Sequence, residues 1–230
     1  PTWRTNAQAE VQAPPVAPLL MANGVGGSSV HYSAAQWRFR ADDFKIRSTT
    51  VERYGEAAIP DGTALADWPI SYDDLEPFYE QVEQVIGVAG AGGANPFESP
   101  RTSDYPLPPL RPTGFSSLVG ETMTRLGYHP FPQPGAILSQ PYKNRPACTY
   151  CGYCSGFGCW NNSKSSTLVT VIPEAEETGR LEIRPNSRVV KILSGDGGKV
   201  TGVEYRDERG ETQIQPARVV IVASYTFENN

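Results

Sequence analysis

Residues 181–223 read LEIRPNSRVVKILSGDGGKVTGVEYRDERGETQIQPARVVIVA, and their periodicity decides the fold class. Apolar and polar residues alternate through Ser187–Leu193 and again through Val200–Arg206, the period of two that marks a half-buried strand. Between them lies Gly195-Asp-Gly-Gly198, turn chemistry that joins the two runs as an antiparallel hairpin. Thr212–Pro216 follows as a third strand, and Leu181–Arg184 precedes the hairpin as a short one. Val219–Ala223 (VVIVA) is apolar throughout, the pattern of a buried strand in a parallel sheet.

Toward the N-terminus the period lengthens. Ser71 is an N-cap, with Asp73, Asp74 and Glu76 in the first turn, where the helix dipole favours acids. Leu75, Phe78, Val82, Val85 and Ile86 then recur at helical spacing, while Asp73, Asp74, Glu76, Glu80 and Glu83 read as a solvated face. A second helix is expected over Gly114–Leu126, with Phe115, Leu118, Val119, Thr122 and Leu126 on one side. A third spans roughly Ser165–Thr178, broken by Pro173 and closed by Gly179. Trp37–Arg47 (WRFRADDFKIR) reads as a loop or short strand that buries its aromatics. Residues 1–20 read as extended, 88–112 as a long connection, and 127–165 as irregular. The class is therefore α/β (α+β).

The chain has 230 residues, of which 39% are apolar and 20% charged, enough for one large or two small cores. Its apolar runs are only a few residues long, too short for a membrane-spanning helix. The formal net charge is −5, with Lys and Arg scattered, so no nucleic acid partner and no polybasic anchor is indicated. With Gly 22 and Pro 21, long ordered connections are expected.

The four cysteines, Cys148, Cys151, Cys154 and Cys159, fall within twelve residues as C-x2-C-x2-C-x4-C. Disulfide frameworks spread their cysteines to close longer loops. Crowded thiolates instead suit a soft metal or a cluster. Zinc sites usually bring two knuckles separated by a spacer. A continuous run is closer to the ferredoxin-type arrangement, although the last gap is four residues rather than three. The spacing thus favours an iron–sulfur cluster (3Fe-4S or 4Fe-4S) on three or all four thiols, with zinc, local disulfides or free thiols as alternatives.

Asn23, Gly24, Gly26, Gly27, Ser28 and Ser29 form the other strong local feature, NGVGGSS. Such a turn can aim successive amides at a phosphate or at a flavin edge. Taken alone it is also an ordinary glycine-rich loop. Gly87–Gly93 (GVAGAGG) follows a helix and reads as a C-cap and linker. His31 and His129 are the only histidines, and His129 sits in a Pro-rich loop. Trp37 and Trp160 read as packing residues.

Four segments together carry a resemblance: NGVGGSSVHYSAAQWRFRADDF (23–44), DWPISYDDLEPFYEQVEQVIGV (67–88), RPACTYCGYCSGFGC (145–159), and RLEIRPNSRVVKI with VTGVEY and VVIVAS (180–224). In this order they resemble the glucose–methanol–choline (GMC) flavin oxidoreductases. Within that family they are most similar to flavoprotein subunits of the gluconate 2-dehydrogenase type.

The resemblance implies a fragment of a two-domain FAD-binding fold. Residues 1–50 and 165–230 would belong to the FAD-binding domain, and 51–164 to an insertion on the substrate side. It sets Gly26-Gly27-Ser28-Ser29 against FAD and the Val189 backbone against the adenine. It matches Cys148–Cys159 to a place where some members hold an iron–sulfur cluster. The implied activity is oxidation of a sugar or sugar-acid CH–OH, with hydride passing to the flavin and electrons leaving through the cluster. A cytochrome c subunit and a small subunit are the implied partners, at the periplasmic membrane face. The alternatives are an electron-transfer or metal-binding module without flavin, and an oxidase with a structural Cys loop. The GxGxxG βαβ unit is expected before these residues and the catalytic base after them. The family commonly has Asn or His three residues after the GGSS turn, where this chain has Tyr32 preceded by His31. The isolated piece is expected to be marginally stable and to bind FAD poorly.

Overall fold

The computed structural model describes residues 8–10 and 23–224, so most of the extended start expected over 1–20 lies outside the described residues. The chain forms two compact units that meet at Gly179 and Arg180. Helices with a three-stranded antiparallel sheet make it the expected mixed α/β class.

The core of the first unit is built on extended backbone around residues 135–138. Gly135 exchanges N–H and C=O bonds with Ala89 (2.9 and 2.8 Å), and Ala136 N–H donates to Ala34 O at 2.8 Å. On the other side Ser165 N–H donates to Ala136 O, and Leu138 N–H to Ser163 O. Ala34, Val88, Ala136 and Ile137 are buried together here, with Cys148 and Cys154 packed against them. The small residues Ala34, Ala89 and Ala136 let four chain segments lie at hydrogen-bonding distance.

Among the described residues the α-helices are α1 (Ala41–Phe44), α2 (Ile46–Tyr54), α3 (Tyr72–Ile86), α4 (Gly114–Arg125) and α5 (Val171–Glu177). The structure corrects the loop or short strand expected over Trp37–Arg47, because α1 and α2 occupy its second half. The N-terminus of α2 is capped from a distance: Asp67 Oδ1 accepts the N–H of Arg47 (2.9 Å) and of Ser48 (3.0 Å). Of the aromatics expected to be buried, only Phe44 is, under the edges of Phe39 and Trp68. Trp37 and Trp160 are exposed. Pro173 does not break α5, because it sits in the first turn, where helical N–H groups have no intrahelical partner.

The Ser71 cap of α3 is as expected: its hydroxyl accepts Asp74 N–H, and Asp74 returns the bond to Ser71 N–H. Gly87 closes the helix at φ +76. The buried face of α3 departs in part from the one expected: Leu75, Val85 and Ile86 are half-buried and Asp73 and Asp74 exposed, as expected, but the middle of the helix is turned the other way. Phe78 and Val82 are 61% and 48% exposed, whereas Glu76 and Glu83 are only 8% and 3% exposed. The cause is Arg38, whose Nε and Nη2 each donate to one Glu83 oxygen at 2.8 Å, while Nη1 donates to Glu76 Oε1 at 2.9 Å. Arg101 adds a second guanidinium to Glu83 (2.5 Å), and Thr102 donates both N–H and O–H to Glu76. Carboxylates paired in this way can be buried where unpaired ones cannot.

In the second unit β1 (Arg188–Ser194), β2 (Val200–Arg206) and β3 (Thr212–Pro216) pair antiparallel in the order β1-β2-β3. Val189 pairs with Tyr205 and Lys191 with Glu204, leaving Val190 as a bulge. Two expected strands do not form. Leu181–Arg184 is unpaired, and Val219 and Ile221 are 76% and 85% exposed. An all-apolar run becomes a strand only between parallel neighbours, and the described residues provide none.

Two predictions follow from the Arg38 network. Glu83→Ala leaves two buried guanidinium groups short of a partner and costs about 3–5 kcal/mol, readable as a lowered denaturation midpoint. The Thr102 N–H, with Arg38, holds the Glu76 carboxyl down to about 2. Its unfolded value is roughly 4.3, so its contribution is complete above that pH and is lost as pH falls toward 2. Stability should drop more steeply between about pH 5 and 2 in the wild type than in Glu76→Gln; parallel profiles would contradict the assignment.

Candidate functional site

The glycine-rich turn folds back at Gly24, where Gly27 N–H donates to Gly24 O at 2.9 Å, and continues as a single 3-10 turn over Gly27–Val30. Gly26 and Gly27 have φ of +90 and +55, in or near the left-handed region that glycine enters without strain. Their two faces differ. A Cβ on Gly26 would lie 2.9 Å from Val30 Cγ2 and 3.3 Å from Leu168 Cβ, while one on Gly27 would meet nothing within 4 Å. The Ser29 hydroxyl donates to Gly26 O (2.6 Å) and accepts Thr167 N–H (3.4 Å), which ties the turn to the segment before α5. Asn23, Gly24 and Ser28 are exposed.

The Cys loop lies directly beyond this turn. His31 O accepts Gly156 N–H at 2.7 Å, and the Tyr32 hydroxyl donates to Ser165 O at 2.8 Å. Burial pushes the Tyr32 phenol up to about 12, with the Arg145 charge pulling the other way. The segment that follows the glycine turn is thus bonded to the Cys loop.

All four thiols are free. Cys148 N–H donates to Leu138 O at 2.8 Å, which fixes the start of the loop on the core. Burial raises the Cys154 thiol, and the neighbouring Cys148 and Cys151 raise it further. Burial also opposes ionisation of Cys159, but hydrogen bonds from Ser163 and from the Lys164 N–H outweigh it and hold that thiol below its usual value. Cys159 Sγ donates to Asn161 Oδ1 at 3.1 Å and accepts Lys164 N–H at 3.4 Å. Among the described residues no group of three or more His, Cys, Asp and Glu side chains is arranged to hold a metal ion. The Cys148, Cys151 and Cys159 thiols nonetheless lie near enough to Cys154 to act on its ionisation.

Sequence reasoning passed over two buried cations beside this loop. Lys164, 3% exposed, donates to the carbonyls of Tyr32 (2.8 Å), Cys154 (2.7 Å) and Phe157 (2.7 Å). Arg145 donates to Ser165 Oγ (2.9 Å) and Ile86 O (2.7 Å). Burial lowers the pKa of each. No periodicity or spacing flags either residue. His31 contributes its carbonyl here, and His129 is exposed. Val189, half-exposed on edge strand β1, belongs to the second unit.

Residues 135–229 match the family model described as GMC oxidoreductase. The chain is 35% identical, over 93% of its length, to the gluconate 2-dehydrogenase flavoprotein of Pantoea cypripedii, and covers 38% of that protein. It is 30% identical, over 89% of its length, to the fructose dehydrogenase large subunit of Gluconobacter japonicus, covering 35% of it. It is 28% identical, over 90% of its length, to the 6'''-hydroxyparomomycin C oxidase of Streptomyces lividus, covering 36% of it. Residues 135–229 carry the GMC oxidoreductase pattern, and the rest of the chain is similar to the same relatives. The chain spans little more than a third of the length of these relatives. The family implies FAD.

The packed face of Gly26 gives a local prediction. Gly26→Ala must displace Val30 or Leu168 while holding a left-handed φ. It should destabilise the first unit by about 1–3 kcal/mol, measured by thermal or chemical denaturation.

Proposed function

We propose that this chain is part of an FAD-dependent oxidoreductase that oxidises the CH–OH group of a sugar or sugar acid. Residues 1–50 and 165–230 belong in this reading to the FAD-binding domain, and 51–164 to the substrate-side insertion. The observation that carries the reading is the open face of Gly27 on a turn whose other face is packed. The missing Cβ leaves room there for a cofactor edge. Asn23, Gly24, Gly26, Gly27, Ser28 and Ser29 would hold FAD, with the Val189 backbone on its adenine. The chemistry FAD supplies when bound is acceptance of hydride from the carbinol carbon. The chain's own part is to shape the turn, through the Ser29–Gly26 and Ser29–Thr167 bonds, and to set the Cys loop beside it.

Gly27→Asn tests the cofactor assignment, because Asn tolerates a left-handed φ yet fills the open space. The intact flavoprotein carrying it should keep its melting temperature and lose about tenfold or more in FAD affinity, roughly 1.4 kcal/mol. Unchanged FAD binding would place the flavin elsewhere. Substrate class is read by anaerobic bleaching of the flavin with gluconate, fructose and related polyols.

The electron exit has two readings. In the first, Cys148, Cys151, Cys154 and Cys159 take up an iron–sulfur cluster that passes electrons to a cytochrome c subunit, in a periplasmic, membrane-associated complex with a small subunit. In the second, the Cys loop is structural and the acceptor is oxygen or a diffusible oxidant. The hydrogen bonds that fasten Cys159 to Asn161, Ser163 and Lys164 favour the second. Iron, acid-labile sulfide and zinc per chain decide the matter. About three or four irons with matching sulfide support the cluster; zinc or no metal supports the structural loop.

A further inference from the structure

Lys164 is a buried ammonium whose three N–H donors meet three carbonyls, at 2.7–2.8 Å. The titratable groups that act on its charge are the Cys154 and Cys159 thiols, not a carboxylate. Burying a charge among neutral partners is unfavourable compared with an apolar residue of similar length. The arrangement must therefore serve a geometry that an apolar side chain cannot impose. The carbonyls identify that geometry: Tyr32 O lies three residues past Ser29, while Cys154 O and Phe157 O lie in the Cys loop. The backbone of Lys164 is itself held on the core by its bridge to Ile137. The Gly156 N–H to His31 O bond joins the same two segments.

We infer that Lys164 is a positioning residue that holds the Cys loop at a set distance from the flavin turn, an inference that rests on the flavin reading for its role in the reaction. Charge-assisted bonds in three directions fix the loop more tightly than packing would. Whatever the loop does, as an electron exit or as a wall of the substrate cavity, it does at the spacing Lys164 sets.

The test is the rate at which N-ethylmaleimide labels Cys154 in folded, metal-free protein, read by peptide mass spectrometry. Lys164→Met should label about tenfold faster than wild type, because the loop opens locally. Loss of the positive charge by itself would slow the thiol, so acceleration reports opening. Arg101→Met, which breaks the Glu83 network, is the control for general destabilisation and should leave Cys154 protected. If Lys164→Met does not fold, Lys164→Gln, which keeps two donors, should show a smaller acceleration. Wild-type labelling in the Lys164 variants, or equal labelling in Arg101→Met at matched stability loss, overturns the inference. In the FAD-loaded protein Lys164→Met should also shift the flavin visible bands, and an unchanged spectrum would sever the loop from the flavin. A preparation that cannot be loaded with FAD counts against the flavin reading, while the labelling comparison still decides the role of Lys164.

Discussion

The guanidinium of Arg38 meets both oxygens of Glu83 and one of Glu76, all out of contact with bulk water. Arg101 and Thr102 bring the middle of the long connection into the same group. The network fixes α3 against residue 38 on one side and residues 101–102 on the other. The C-terminal end of α3 then delivers Gly87, Val88 and Ala89 to the core, where Ala89 pairs with Gly135. An apolar contact there could slide. A bidentate carboxylate pair in a low-dielectric setting cannot shift without exposing an unpaired charge.

From that core the site follows by hydrogen-bond register. Ala136 bonds Ala34 and Ser165, Leu138 bonds Ser163 and Cys148, and Lys164 stands between them. The segment after the glycine turn and the Cys loop both bond to one lysine. The core of the first unit is therefore organised by backbone pairing of short extended pieces.

Electrostatics near the loop divide the cysteines. Cys159 is stabilised as an acceptor by Ser163 and the Lys164 N–H, while Cys154 is pushed up by burial and by its neighbours. Four thiols alike in sequence are thus unlike in environment. A spacing argument treats them as equals because spacing holds no information on hydrogen bonding.

Local signals were legible wherever the cause was local. The Ser71 cap, the Gly87 stop, the hairpin around Gly195–Gly198 and the special backbone of Gly26-Gly27 all rest on chemistry within a few residues, and each stands where expected. The four family segments were readable for the same reason. Tertiary structure decided the rest, because the partner was distant. Asp67 caps α2 from twenty residues away. Arg38 turns the acidic side of α3 inward, so that a pattern that reads as solvated is buried. Val219–Ala223 stays exposed, since a strand's neighbours are not encoded in its own residues. Lys164, a lysine just past the Cys run, acquires its place only when the distant Tyr32 carbonyl joins those of Cys154 and Phe157 on its three donors.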